Sequence, residues 1–130
     1  MTDVQQRAAA KEFAAYWKNR GDEKQETQRF WIDLLRNVYG VPNPEQSIEF
    51  EVPVKLSHTS FIDGYLPDTR VLIEQKGADI DLRKGSKQSD GQMLTPYQQA
   101  RRYAGYLPFN KTPRWIVVCN FQTFEIHDMN

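Results

Sequence analysis

Phe61-Ile-Asp-Gly-Tyr-Leu-Pro-Asp-Thr-Arg-Val-Leu-Ile-Glu-Gln-Lys76 is the stretch on which the reading of this chain turns. It predicts two short strands, Phe61–Tyr65 and Arg70–Lys76, with Leu66-Pro67-Asp68-Thr69 supplying turn chemistry between them. Side chains alternate faces along a strand, so Leu72, Glu74 and Lys76 share one face. Asp63 on the neighbouring strand can converge with them. Glu74 and Lys76 directly follow the apolar run Val-Leu-Ile, where a strand would ordinarily stay apolar, and such a local inconsistency is expected at a working site. The bland alternative is a salt-bridged strand end.

Composition bounds the rest. A chain of 130 residues, 39% hydrophobic and 26% charged, predicts one soluble domain, 1–130, with a real core. No run approaches the ~20 apolar residues of a membrane span, and the polar N-terminus shows no signal peptide. The single Cys119 excludes an internal disulfide or a cysteine-rich metal site and points to a reducing cytoplasm. Net charge is zero, yet Arg83 to Arg114 holds seven basic residues against one acid, Asp90. A basic half beside an acidic site suits phosphate binding at a metal centre; a solvated basic surface is the simpler alternative.

Upstream, 4–20 and 23–39 read as helices, the first stopped by Gly21 and the second by Gly40. Their aromatics read as core. Glu26 in the first turn of the second helix suits the helix dipole. From 47 to 55 the pattern alternates, placing Ile48, Phe50, Val52 and Val54 on one face, with Pro53 marking an edge strand. The polar segment 77–91 reads as a mobile loop whose Arg83, Lys84 and Lys87 can touch a substrate phosphate. Asp79 and Asp81 are open to use as extra ligands, with ordinary loop acids the simpler reading. Thr95-Pro96-Tyr97-Gln98 opens a capped helix that ends before Pro108, with Gln99 and Tyr103 on one face. Segment 114–120 reads as a buried central strand and 123–127 as a final one. Cys119 reads as core, and His58 and His127 carry no ligand spacing.

Asp-x10-Glu-x-Lys with a hairpin between resembles the signature of the PD-(D/E)xK nucleases, with Ile62 in place of that family's loosely kept proline. Gln99-Ala-Arg-Arg-Tyr103 resembles the QxxxY motif of its RecB-like members. The element order then implies an α/β (α+β mixed-sheet) domain: a restriction-endonuclease-like αβββαβ core with an extra N-terminal helix. Segments 21–31, 72–77, 88–91 and 115–121 are similar to the N-terminal nuclease domain of MmeI-like restriction-modification enzymes.

That resemblance implies Mg²⁺, with Mn²⁺ able to substitute, held by Asp63, Glu74 and the Gln75 carbonyl. Lys76 assists the attacking water, and Glu26 joins the catalytic group. Gln99 and Tyr103 position DNA or a catalytic group through hydrogen bonds, and with them Arg83, Lys84, Lys87 and Arg102 face double-stranded DNA. It further implies a bacterial or archaeal cytoplasmic protein, with methyltransferase and target-recognition domains in the same polypeptide. S-adenosylmethionine belongs to those domains only, and a transient dimer is allowed for double-strand cleavage. The alternative is a catalytically silent nucleic-acid-binding or protein-interaction module on the same fold.

Overall fold

The computed structural model describes residues 1–130. Two helices lead, α1 (Asp3–Trp17) and α2 (Glu23–Asp33), each opened by a side-chain cap from Thr2 or Asp22. The second continues through a wide π-helical turn, Leu34–Val38, and Gly40 follows with φ +70°, a conformation that favours glycine. Strands β1 (Glu49–Lys55), β2 (Thr59–Leu66) and β3 (Val71–Gln75) then form an antiparallel meander. A small hairpin, β4 (Ser86–Lys87) with β5 (Met93–Leu94), precedes α3 (Pro96–Ala104). β6 (Trp115–Cys119) and β7 (Phe124–Asp128) complete the chain.

The main sheet runs in the order β1-β2-β3-β6-β7. β3 and β6 are parallel and every other pair is antiparallel. A parallel pair needs a crossover, and α3 lies within that connection. The expected αβββαβ order is therefore present, with α1 as the extra helix. No helix is long and apolar enough to cross a membrane.

Each sheet face has its own core. On one, Trp17, Phe30, Trp31 and Leu34 of the leading helices pack on Ile48, Ile73, Cys119 and Phe121. On the other, Ala100 of α3 packs among Ile62, Leu72, Ile116 and Val118. β6 is thus doubly covered, as its apolar run predicts, and Pro53 lies on the edge strand β1.

Two expectations are corrected. Ile48 and Phe50 pack with the leading helices, but Val52 and Val54 pack with α3. The cause is Glu51, whose φ of +51° turns the strand over so that residues of one parity change faces. The segment 77–91 also contains β4, half of a hairpin whose two-residue strands carry no periodic signal.

Candidate active site

The site lies where β2 and β3 part. Their rungs run from Leu66 opposite Val71 to Gly64 opposite Ile73, and the next pair in register, Asp63 and Glu74, lies past the last rung. The Gln75 N–H donates to Asp63 Oδ2 at 2.7 Å instead of continuing the ladder. On its other edge β3 stays with β6: Gln75 is in register with Cys119, and the Lys76 N–H donates to the Cys119 carbonyl at 2.7 Å. One strand is therefore held firmly while its neighbour diverges, leaving a fork with an acid on each prong.

The buried Gln75 side chain fixes this fork from below. Its Oε1 accepts the Trp31 indole N–H at 2.7 Å, and its Nε2 donates to the Lys76 carbonyl at 3.1 Å. Helix α2 is thereby tied to the strand that carries Glu74. Backbone N–H and C=O of one strand residue leave the same edge, so the Gln75 carbonyl also faces the side of the fork.

Glu74 is 3% exposed. Its Oε2 accepts from Lys76 Nζ at 3.2 Å, while its Oε1 is buried with no hydrogen-bond partner. Lys76 Nζ donates also to Gln99 Oε1 at 3.0 Å, and Gln99 Nε2 donates to the Tyr103 hydroxyl at 2.9 Å. The two α3 residues thus form a relay that turns the amide oxygen toward the ammonium. Gln99 meets Lys76 directly, and Tyr103 acts on it through Gln99.

Beside Asp63 a polar cleft of about 250 Å³ is lined by Glu23, Lys24, Thr27, Gln28, Glu51 and Asp63. This chain matches the family described as MmeI, N-terminal domain, over residues 8–130. It belongs to that family. No curated protein and no solved structure matches it. The match takes in the fork, α2, α3 and the cleft together.

Burial sets the electrostatics. It pushes the Glu74 carboxyl up to about 8, helped by the negative Asp63 and opposed by Lys76. Burial likewise raises Asp63 to about 6; the Gln75 N–H opposes this and the Glu23 charge adds to it. For Lys76, burial alone would lower the pKa, but Glu74, Glu23 and Asp63 outweigh it and hold the ammonium protonated. Glu23 is raised, chiefly by burial, with Lys76 opposing.

Glu23, not Glu26, is therefore the α2 acid whose charge reaches this site. Glu26 Oε1 accepts the Asp22 N–H at 3.1 Å, closing the helix cap, whereas Glu23, one turn earlier, lines the cleft beside Asp63. The sequence offers two acids in the first turn, Glu23 and Glu26, and no local signal in it separates the one that closes the cap from the one that lines the cleft. Arg83, Lys84 and Lys87 are exposed on the segment leaving the fork, and Arg102 pairs with Asp90 at 3.1 Å. Asp79 and Asp81 are exposed; Asp81 accepts the Arg83 N–H.

The donor set fits a hard divalent cation in one respect and limits it in another. An unpartnered buried carboxylate oxygen costs on the order of 1–3 kcal/mol or more, and two desolvated acids, of which Asp63 further raises the pKa of Glu74, are relieved by a positive charge between them. No group of three or more His, Cys, Asp or Glu side chains is gathered to hold a metal. A bound ion would keep several waters, as Mg²⁺ does.

Proposed function

We propose that this domain is the metal-dependent DNA-cleaving module of a restriction-modification enzyme. The observation that carries this reading is the fork itself. A buried Glu74 with one free oxygen, an Asp63 beside it and a protonated Lys76 sit together beyond the last β2–β3 rung. Membership of the MmeI N-terminal family supports it.

Asp63, Glu74 and the Gln75 carbonyl would hold Mg²⁺ or Mn²⁺. When bound, the ion supplies a lowered water pKa and neutralises charge building on the phosphate. The chain's own groups do the positioning. Lys76, steadied by Glu74 and Gln99, offers its one remaining N–H to the attacking water or to a phosphate oxygen, stabilising charge as it develops. Water adds to phosphorus as the P–O3′ bond breaks, leaving a 5′-phosphate and a 3′-hydroxyl. Glu23 lines the cleft next to Asp63 and can take a hydrogen bond from a bound water there.

The reading divides labour. Specific base reading normally needs side chains delivered into a groove, and the sequence carries no recognition-helix or zinc-module pattern. Specificity is assigned to further domains, namely the methyltransferase and target-recognition parts. The test compares the chain alone with the chain joined to those parts, on plasmid DNA with Mg²⁺. We expect little specific cutting alone, defined cutting when joined, and loss of cutting with retained methylation in Lys76→Ala. Undiminished cutting by Lys76→Ala would overturn the nuclease reading, and efficient cutting at one sequence by the chain alone would overturn the division of labour.

A further inference from the structure

Helix α3 presents a second working face. Gln99 meets Lys76, Tyr103 holds Gln99 and Ala100 enters the core, but Gln98 and Arg101 are exposed and Arg102 is half-buried beside them. With Gln92 and Leu94 of the β4–β5 hairpin they line a cleft of about 350 Å³.

Its chemistry is that of donors. Gln98 Oε1 accepts the Thr95 N–H at 2.9 Å, so its free amide edge is the N–H₂ group. Arg101 has no acidic partner, and Arg102 has one, Asp90, which comes from the turn of the hairpin. Asp90 is held from both sides: Oδ1 accepts the Gln92 N–H at 3.0 Å, and Oδ2 lies 3.1 Å from Arg102 Nη1. A carboxylate on a guanidinium presents the charge and acceptor oxygens of a phosphate, in the place a phosphate would take.

We propose that this groove binds the DNA backbone flanking the scissile phosphate, with Asp90 as a phosphate stand-in that the DNA must displace from Arg102. The proposal rests on the DNA-cleaving reading above. Gln98 and Arg102 flank, on one helix, the Gln99 that holds Lys76, so a strand lying in the groove leads toward the fork. Spent on backbone phosphates, two guanidiniums and an amide read no bases. They grip any sequence and are sensitive to salt.

The test is fluorescence anisotropy of the full chain with a labelled DNA duplex in EDTA, where nothing is cut, over a range of salt. Arg101→Ala and Arg102→Ala should each weaken binding about 3- to 10-fold and lower the salt slope by about 1. Asp90→Asn keeps the acceptor for Gln92 but drops the charge. It should tighten binding about 3-fold, at an unchanged melting temperature, and add nothing in the Arg102→Ala background. Unchanged or weaker binding by Asp90→Asn, wild-type affinity in both arginine variants, or no duplex binding at all would overturn the groove. Cutting by the joined enzyme that ignores Lys76→Ala would overturn the cleavage reading instead, leaving the binding results to stand.

Discussion

The Gln75 N–H and the Asp63 carboxylate are joined by a 2.7 Å hydrogen bond that replaces the next rung of the β2–β3 ladder. A backbone donor that would have zipped the hairpin shut is given to an acidic side chain, and the strands stay apart. The same residue's amide side chain is bound by Trp31. The opening of the site and the seating of α2 therefore share one residue.

Trp31→Phe tests that shared role. It keeps the ring but deprives the buried Gln75 Oε1 of its donor, and an unsatisfied buried acceptor costs about 1–3 kcal/mol. Urea denaturation should show a loss in that range with an unchanged m-value. A loss within error of zero would mean that Gln75 finds another donor.

Glu51 holds a left-handed backbone at φ +51° directly across from Asp63, where the β1–β2 ladder lacks a rung. Glycine takes that conformation without penalty, whereas a β-branched residue resists it. Glu51→Gly should leave stability unchanged or raised, and Glu51→Val should cost about 1–3 kcal/mol. Thermal melts decide this, and the reverse order would mean that the turn-over of the strand does not depend on this residue.

The acids make a pH prediction. Both have folded-state pKa values above their ordinary ones: Glu74 at about 8 against 4.5, and Asp63 at about 6 against 3.8. The folded chain then binds these protons more tightly than the unfolded chain. Stability is greatest below the ordinary values and declines as pH rises toward about 8. Glu74→Gln removes most of that decline and should stabilise the metal-free domain at pH 8 by on the order of 1–3 kcal/mol, the lost Lys76 pairing trimming the gain. Melting in EDTA from pH 5 to 8.5 reads it out. A variant that declines as steeply as wild type contradicts the assignment to Glu74.

Gln99 separates two roles. Its amide oxygen is bound to Lys76, so Gln99→Ala should act through that lysine. In the joined enzyme we expect kcat to fall about 10- to 100-fold with DNA affinity near wild type, the range that loss of positioning produces. Tyr103→Phe, which only frees the amide, should have a smaller effect in the same direction. A collapse of affinity with kcat retained would make Gln99 a direct DNA contact.

Much of this was legible in the sequence because the signals were local. The hairpin, the face shared by Glu74 and Lys76, and the cap at Thr95 each depend on residues within a few positions of one another. So does the pairing of Gln99 with Tyr103; that Gln99 meets Lys76 is set by the crossover and needed the structure. The alternation of Ile48, Phe50, Val52 and Val54 predicts one face, and only a single backbone inversion at Glu51 divides it. Glu23 and Glu26 differ by one helical turn, and what separates them is a cap hydrogen bond. The β4–β5 hairpin is too short for any periodicity to reveal it.

The central claim is that Asp63 and Glu74 hold one divalent cation, and thermal stability in a titration with Mg²⁺ or Mn²⁺ tests it most directly. An ion that binds only the folded chain stabilises it by about 2.7 kcal/mol at 100 times its Kd. The wild-type melting temperature should climb by several degrees. Asp63→Asn and Glu74→Gln, each measured against its own metal-free melt, should show little or no climb, while Lys76→Ala climbs as wild type does. A full wild-type shift in both carboxylate variants would contradict the account.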